Sequence, residues 1–438
     1  GGNDNLTGGS DAETINGGAG NDTINTSTGA DTLNGGDGND SITMGAATQT
    51  VDGGAGNDTV YALNFLAYGY SVAGGAGTDI LNVTSAEVIG DGSVVTGFEQ
   101  LTINGDETVD LDTYANNTFT TVQLEAHTYT LQSVRSEVVE LTAALGGDST
   151  FTGESVTGSS DSMNFKLKAA AGFDTTNEIA ADAIESISLV TDDSDDTTYG
   201  TFTAQITADD LTSLTITGDT GVALTGSGDL SALQTIDGSG ATIGGVTTAS
   251  TIAGIVWAST NTTSGAVTSY TGTNGADAFT GLATSDDTFI GGLGIDTLIY
   301  NGRKDTFTGG GGNDVFDLNI TTQGVAATST AFLTITDLTA GDTIDWAGAH
   351  TGTSTWNATE ITLGANATLA NFLDTAAAAS TGATNSIARW FEYSGDTYIC
   401  QDESDNTTYT AGTDWFIKIS GSVELKNSTL SSDILTIV

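Results

Sequence analysis

The sequence predicts an all-β protein with an elongated, solenoid-like architecture, in which two parallel β-rolls flank a middle part that is a β-helix or a β-sandwich. Three observations support this fold class. A nonapeptide rich in glycine and aspartate recurs in two arrays. Short runs of Thr, Val and Ile between Gly and Asp turns are typical of strands, and no helical segments alternate with them. Because a short fixed period indicates stacked coils, each coil should bury its apolar residues only against its neighbours.

The first array follows the pattern GGxGxDxUx, where U is a large apolar residue. Three copies match every fixed position, namely GGAGNDTIN from Gly17, GGDGNDSIT from Gly35 and GGAGNDTVY from Gly53. A further copy, GGAGTDILN from Gly74, follows an insertion at 62–73. The glycines permit a tight turn, and the triplet xUx predicts a three-residue strand with one inward apolar side chain. Two nonapeptides then make one coil of a parallel β-roll.

The second array runs from Gly272 to Asp317 and includes GTNGADAFT, GGLGIDTLI and GGGGNDVFD. Between the arrays an apolar pattern recurs, as in FEQLTI, IESISL and LTSLTI, and it predicts further strands. Helix is predicted only locally, over 179–184 and 369–379. We therefore divide the chain into a first β-roll (1–82), a Thr- and Gly-rich β body (83–270), a second β-roll (271–318) and a C-terminal β domain (319–438).

The acids of the repeats can be sorted by side, because alternate nonapeptides lie on the same side of a roll. In the first array, the loops of one side end in Asp4, Asp22, Asp40, Asp58 and Asp79, and those of the other side end in Glu13, Asp31 and Gln49. In the second array, the corresponding sets are Asp277, Asp296 and Asp314 on one side, and Asp287 and Asp305 on the other. The second set of each array is weaker, with lost glycines or a lost acid. This pattern predicts one intact and one decayed row of cation sites per array, and little effect from replacing Gln49.

Calcium is the cation that suits these loops, because it takes six to eight oxygen ligands from carboxylates and backbone carbonyls. A glycine turn leaves carbonyl oxygens accessible, its Asp adds a charged oxygen, and two turns stacked one coil apart can enclose one ion. The predicted calcium ligands are Asp4, Asp22, Asp31, Asp40, Asp58, Asp79, Asp277, Asp287, Asp296, Asp314, Asp342 and Asp345, with Gly18, Gly20, Gly36, Gly38, Gly54, Gly56, Gly75, Gly77, Gly292, Gly294, Gly310 and Gly312. The intact loops hold about six ions, which leave most of the net charge of −48 uncompensated. Arg303 and Lys304 lie in the loop of Asp305 and should oppose a cation there.

Composition excludes several classes of function. The balance of 56 acidic against 8 basic residues argues against nucleic acid and anionic membranes as partners. The sequence predicts no transmembrane segment, because no apolar run is long enough. The single Cys400, in the apolar run DTYIC, cannot form an intrachain disulfide and is interpreted as core packing. Only His127 and His350 are present and no nucleophile-elbow or phosphate-loop motif occurs, so we predict that the chain is not an enzyme.

Two further interpretations concern single segments. The acidic stretch 192–196 is interpreted as a solvated loop, with a metal site as the alternative. The chain begins inside a repeat, at Gly1, and we therefore expect it to be the C-terminal part of a longer protein.

The repeats resemble those of RTX proteins, which are calcium-binding substrates of type I secretion. The C-terminal third carries ITDLTAGDTIDW, FEYSGDTYI, DWFIKISGSVEL and a terminal DILTIV. This series is similar to the C-terminal ends of RTX proteins, and most closely to Caulobacter-type S-layer proteins. The segment from Leu214, LTITGDTGVALTGSGDLSALQTIDGSGATIGGVT, also resembles the β body of those proteins.

The resemblance implies a structural protein that assembles with copies of itself into a calcium-dependent lattice on the bacterial cell surface. It implies export through the type I secretion machinery, directed by a signal in 319–438. Proteins of this type attach to lipopolysaccharide through an N-terminal domain, which lies outside this chain. Two other functions stay open: a calcium-dependent adhesin, and the RTX part of an extracellular hydrolase whose catalytic domain lies upstream.

Overall fold

The protein is almost entirely β-structure, as predicted. The computed structural model describes residues 1–62, 69–84, 94–154, 160–169, 174–193, 200–224, 230–245, 252–258, 268–282, 285–318, 332–346, 354–378, 387–402, 408–410 and 414–438. It divides into two compact units, the first comprising 1–194 with 203–209 and the second comprising 195–202 with 210–438. Strands are numbered along the chain, and each unit is described by itself.

The first unit is a parallel solenoid whose strands alternate between sheets. The first sheet pairs, in this order, β1 (Asn5–Thr7), β3 (Thr23–Asn25), β5 (Ser41–Thr43), β7 (Thr59–Ala62), β9 (Ile80–Val83), β11 (Gln100–Ile103), β13 (Thr121–Leu124), β15 (Val138–Leu141), β17 (Ser162–Lys168) and β19 (Ser186–Asp192). The second sheet pairs β2 (Thr14–Ala19), β4 (Thr32–Asp37), β6 (Thr50–Ala55), β8 (Ser71–Ala76) and β10 (Val94–Thr96). The third pairs β12 (Glu107–Asp110), β14 (Tyr129–Val134), β16 (Ser149–Gly153), β18 (Asp174–Ala180) and β20 (Thr201–Thr207).

The register confirms two nonapeptides per coil. Thr23 pairs with Ser41, and Ser41 with Thr59, so that equivalent residues lie 18 positions apart. The strand ladder then passes from β9 to β11, where Ile80 pairs with Gln100. The described residues of 94–193 therefore form a parallel β-helix. Of the two alternatives predicted for this part of the chain, the β-helix is present in the described residues and the β-sandwich is not.

One apolar column forms the core of the first unit. It contains the inward residue of each strand of the first sheet from β3 to β19, and every member is at most 1% exposed: Ile24, Ile42, Val60, Leu81, Leu101, Val122, Val139, Phe165 and Leu189. Burying one such side chain contributes about 1.5–3 kcal/mol relative to leaving it exposed. Because each member contacts only the coils before and after it, stacking supplies the stability that a single coil lacks.

The second unit is also a parallel solenoid, and it ends in antiparallel strands. One sheet pairs β21 (Ser213–Gly218), β23 (Thr235–Ala241), β25 (Thr268–Thr271), β27 (Asp287–Leu293), β29 (Thr306–Gly311), β31 (Thr334–Ile335), β36 (Trp415–Ile419), β35 (Asp396–Gln401), β34 (Ile387–Tyr393) and β33 (Thr355–Asn357). The other pairs β22 (Gly221–Leu224), β24 (Ala253–Ala258), β26 (Ala276–Thr280), β28 (Thr297–Ile299), β30 (Val315–Asp317), β32 (Thr343–Asp345), β38 (Ile434–Thr436) and β37 (Thr429–Ser431). The antiparallel pairs β32–β38 and β35–β36 follow the last parallel coil, at β31 and β32.

One of the two predicted helices is present. Helix α1 (Leu369–Ala377) begins with a capping box, in which Thr368 accepts from the N–H of Asn371, and its Phe372 stacks on Phe391. Cys400 belongs to the same apolar cluster, is fully buried, and has its pKa raised by burial. The expected position 379 lies outside the described residues.

The helix predicted over 179–184 is wrong. Ile179 lies in β18 and pairs with Ser149 on one side and Ile206 on the other. The chain then turns at Ala183, whose φ of 60° is incompatible with a continuing helix. Pairing with two neighbouring coils therefore overrides the local apolar spacing. Among the described residues, no helix is long and apolar enough to cross a membrane.

Candidate metal centre

A row of buried carboxylates runs along the first unit. Asp22, Asp40, Asp58 and Asp79 are at most 2% exposed. In each, Oδ1 accepts a hydrogen bond from the backbone N–H of the acid one coil earlier, at 2.7–2.8 Å, beginning with the N–H of Asp4. Each bond links the coil of one loop to the coil of the next. The row that the sequence predicts from repeat phase is thus one continuous ladder in the structure.

The second carboxylate oxygen of these residues has no hydrogen-bond partner in the part of the chain that the structure describes. This holds for Oδ2 of Asp22, Asp40, Asp58 and Asp79, all of which are buried. A buried anionic oxygen without a partner is costly, and such groups are normally paired or coordinate metals. The orphaned oxygens therefore point to a cation.

The first glycine of each loop leaves the space that such a cation needs. A Cβ atom on Gly35 would lie less than 3.0 Å from both Asp40 Oδ2 and the carbonyl oxygen of Gly53 in the next coil. We call this space, bounded by a carboxylate oxygen of one coil and a carbonyl oxygen of the next, a cradle. Equivalent cradles lie beside Gly17, Gly53 and Gly74. Their oxygen donors fit calcium.

The glycines that the sequence singles out as ligands lie elsewhere in the loops. The second glycine of a loop, such as Gly36, has φ of 110°, and a Cβ there would lie less than 3.0 Å from the carbonyl oxygen of Gly18. The third glycine, at the fourth position of the loop, such as Gly38, donates its N–H to the carbonyl of Ala55 in the next coil at 2.7 Å. The same places in the loops are occupied by Gly20, Gly54, Gly56, Gly75, Gly77, Gly292, Gly294, Gly310 and Gly312. The sequence reasoning missed the first glycines, which border the cradles.

On the opposite side of the first array, a side-chain amide donates a hydrogen bond to the buried carboxylate. Asp31 is buried, its Oδ1 accepts from the N–H of Glu13 at 3.0 Å, and its Oδ2 accepts from Gln49 Nε2 at 3.2 Å. The same Nε2 donates to Thr26 Oγ1 at 2.9 Å. Gln49 thus donates a hydrogen bond to Asp31 Oδ2, whereas the corresponding Oδ2 atoms on the other side of the array have no partner among the described residues. Since Gln49 is only 1% exposed, the expectation that it can be replaced at little cost is revised.

The second unit contains a shorter row of the same kind. The N–H groups of Asp277, Asp296 and Asp314 donate to Oδ1 of the next acid at 2.8, 3.0 and 2.9 Å, and the last acceptor is Asp342. Asp296 Oδ2 is buried without a partner among the described residues, beside a cradle formed by Gly291 and the carbonyl of Gly309.

The two aspartates at the ends of this row receive hydrogen bonds on their Oδ2 atoms. Asp277 Oδ2 accepts from both the N–H and the Oγ1 of Thr273, and its Oδ1 accepts from the N–H of Ile255. Asp342 Oδ2 accepts from the N–H of Thr339 at 2.7 Å and from its Oγ1 at 3.1 Å. Asp345 lies three residues further on, as the last residue of β32.

The side of the second array with the less complete loops contains two buried aspartates, Asp287 and Asp305. Asp287 donates its N–H to Asp305 Oδ1 at 2.8 Å, and its own oxygens accept from Ser285 Oγ and the N–H of Leu282. Asp305 is fully buried, and its Oδ2 has no partner among the described residues. Arg303 lies 3.5 Å from Asp286, with both side chains half exposed. The absence of an ion from this loop stays a prediction.

Burial raises the pKa of several carboxyl groups in the rows. It raises the pKa of Asp58, Asp277 and Asp314 to about 6, that of Asp296 to about 8 and that of Asp305 to about 9. Neighbouring carboxylates of the same row, such as Asp79 for Asp58, raise the pKa further. Ionisation of these carboxylates is therefore unfavourable without a partner, and a divalent cation would stabilise their charged form.

The family comparison agrees with this site. The RTX calcium-binding nonapeptide repeat matches in four copies, at residues 1–24, 7–42, 45–64 and 301–319. The chain therefore contains RTX calcium-binding repeats. The RTX copies contain the loops of Asp22, Asp40, Asp58 and Asp314, whereas the loops of Asp79 and Asp296 join the same rows from outside the matched residues. A comparison with curated proteins gives no significant match.

The other candidate residues lie apart from these rows. His127 is about one-third exposed and contacts Asn104 and Asp106. The solvated loop predicted over 192–196 is wrong for its described residues, because Asp192 ends β19 and binds Lys166 at 2.6 Å, and Asp193 is fully buried. Residues 195, 196 and 350 lie outside the described part of the chain.

Proposed function

We propose that this RTX protein is a structural, non-enzymatic component of a bacterial surface layer, and that its chain assembles with copies of itself into a calcium-dependent two-dimensional lattice. The observation that carries the calcium dependence is the set of buried, unpartnered Oδ2 atoms at Asp22, Asp40, Asp58, Asp79 and Asp296. A cation that neutralises these oxygens would stabilise the folded state.

Calcium would couple binding to folding. Without it, carboxylates one coil apart repel one another, and burial makes their ionisation more costly. Binding energy at a site that exists only in the folded chain is folding energy. A chain with this property can pass a secretion channel unfolded where calcium is low, and fold outside the cell, where calcium is millimolar. We therefore propose export by the type I machinery and a cell-surface location.

The lattice is supported by charge and by the resemblance of the C-terminal motifs to S-layer proteins. About six ions in the two rows would leave most of the net charge of −48. Neighbouring copies would repel each other in a sheet unless further ions bridged them. Calcium ions between copies are therefore part of the proposal, together with attachment to cell-surface lipopolysaccharide.

Electron microscopy of the chain with calcium and with excess chelator tests this function. We expect ordered two-dimensional arrays in calcium and their loss in chelator. Arrays that persist undiminished in chelator, with the fold intact, would refute the calcium dependence. Monomers in calcium at high protein concentration would refute self-assembly, and glycan binding by those monomers would favour the adhesin. A catalytic domain encoded upstream would favour the hydrolase.

A further inference from the structure

We propose that the calcium row of the first unit extends one coil beyond the last nonapeptide, to a divalent-cation site formed by Asp79, Glu99 and the carbonyl oxygen of Gly97. Glu99 lies in the first coil that has no nonapeptide, next to β11. The site would join the RTX roll to the β-helix that follows it. This inference rests on the proposed calcium dependence of the roll and deepens it.

The backbone places Glu99 opposite Asp79. The N–H groups of Glu99 and Gln100 both donate to the carbonyl of Asp79, at 3.2 and 3.0 Å. The N–H of Asp79 in turn donates to Glu99 Oε2 at 2.9 Å. This last bond is the same as the one that each earlier acid receives from the coil before it, with Glu in place of Asp. Glu99 is therefore the next member of the ladder.

The space beside Asp79 has the properties of the other cradles. A Cβ atom on Gly74 would lie less than 3.0 Å from both Asp79 Oδ2 and the carbonyl oxygen of Gly97. In the preceding coil, the carbonyl of Gly74 occupies the corresponding place beside Gly53. Asp79 is 0% exposed, and its Oδ2 is buried with no hydrogen-bond partner in the described residues. This orphaned oxygen points to a ligand independently of the acidic pair.

The shorter loop explains why the acid is a glutamate. In the nonapeptide loop, Gly74 and Asp79 are five positions apart, whereas Gly97 and Glu99 are only two positions apart. The extra methylene group of glutamate lets the side chain span the distance that the longer loop covers with backbone. Phe98, between them, is fully buried, and its N–H donates to Asn117 Oδ1 at 3.1 Å, which fixes the loop from the following coil.

The row ends at this coil. The next position along the solenoid is Thr120, whose N–H and Oγ1 both donate to the carbonyl of Glu99, at 2.7 and 3.2 Å. That position offers a hydroxyl and no carboxylate. The N–H of Asp79 donates to Glu99 Oε2 at 2.9 Å, and the like charges of the two side chains repel each other. A cation bound there would remove this repulsion and hold the first coil of the β-helix against the roll.

The test is the variant Glu99→Gln in the full chain. The glutamine keeps an oxygen that can accept from the Asp79 N–H, but it removes the charge. We expect one calcium ion fewer per chain, measured by equilibrium dialysis with metal analysis. We also expect about a tenfold higher calcium concentration for half-maximal hydrogen-exchange protection of 97–103, because calcium affinity follows the number of charged ligands. Protection of 32–62, measured in the same samples, reports whether the roll is folded.

Glu125→Gln is the matched control. It makes the same change of charge one coil later, and Glu125 contributes only backbone atoms to the hydrogen bonds with Tyr129. It should bind calcium like the wild type. An unchanged calcium count and titration in Glu99→Gln would overturn this inference alone. Loss of protection at 97–103 that is equal in calcium and chelator would also overturn it, because that would indicate a purely structural role. A wild-type chain that binds no calcium would overturn the proposed function as well.

Discussion

Replacing Asp58 by Asn should affect the first roll in opposite directions with and without calcium. Asp58 is fully buried, its Oδ1 accepts from the N–H of Asp40 at 2.8 Å, and its Oδ2 borders the cradle beside Gly53. Asparagine keeps the Oδ1 acceptor and replaces Oδ2 with an NH₂ group. The change therefore removes the charge that a calcium ion needs, while leaving the ladder intact.

The magnitudes follow from these two roles. An ion present at 100 times its dissociation constant stabilises the folded chain by about 2.7 kcal/mol. Asp58→Asn should lose about that amount in calcium. In chelator, the same variant removes a buried charge and offers an NH₂ donor to the nearby carbonyl of Gly74. One net hydrogen bond contributes about 1 kcal/mol, so the variant should be as stable as the wild type or slightly more stable in chelator.

Hydrogen exchange of β6 and β7, measured by mass spectrometry in calcium and in chelator at pH 7.5, gives both values in the intact chain. Asp52→Asn is the control, because Asp52 is exposed in the same coil and carries the same charge. Its effect should stay within about 0.5 kcal/mol in both conditions. If Asp58→Asn is equally destabilising in calcium and in chelator, Asp58 is a structural residue and the assignment of the cradle is wrong.

Three further predictions concern other parts of the rows. Gln49→Ala should cost about 1–3 kcal/mol whether or not calcium is present, because it leaves Asp31 Oδ2 without its donor; exchange of β4 and β5 measures this, and a calcium-dependent effect would contradict it. Gly36→Ala should abolish the calcium-induced circular dichroism of the roll, because its Cβ would collide with the carbonyl of Gly18 at a φ of 110°; an unchanged signal would contradict the geometry. In chelator, protection of the second unit should rise as pH falls from 9 to 6, because burial raises the pKa of Asp296 to about 8 and that of Asp305 to about 9, and the folded state then binds protons that the unfolded state lacks. The calcium concentration needed for folding should rise over the same interval, since protons compete for the same oxygens, and a flat pH profile would contradict both statements.

The structure of one coil of the roll can be predicted from the sequence because it is set by a pattern of only nine residues. Gly35, Asp40 and Ile42 occupy fixed places in nine residues, and repetition at 18 residues sets which strands pair. The position of each nonapeptide in the series is therefore enough to predict on which side of the roll its Asp lies. The first glycines were missed as cradle residues because their role depends on the next coil, through the carbonyl of Gly53 beside Gly35.

Glu99 and Gln49 show where this reasoning stops. Their partners lie 18 to 20 residues away and are fixed by coil length, which varies once the nonapeptides end. A weak signal was present for Glu99, because FEQLTI recurs as IESISL with the glutamate in the same place. Glu185 in that second motif accepts from the N–H of Asp161 at 2.8 Å, the same bond that Glu99 makes to Asp79. A recurring acid before a strand therefore marks the ladder even where the glycines are lost.

The two kinds of acid in the second unit's row imply that its ends and its centre depend on calcium differently. Asp277 and Asp342, at the ends, each receive two hydrogen bonds on Oδ2 from one threonine, Thr273 or Thr339. Asp296, between them, receives none on Oδ2 from the described residues. Because a threonine N–H and hydroxyl satisfy an anionic oxygen at any calcium concentration, the ends of this row should fold without the ion. The centre should not, and calcium would therefore act on the interior coils of a row whose ends are already in place.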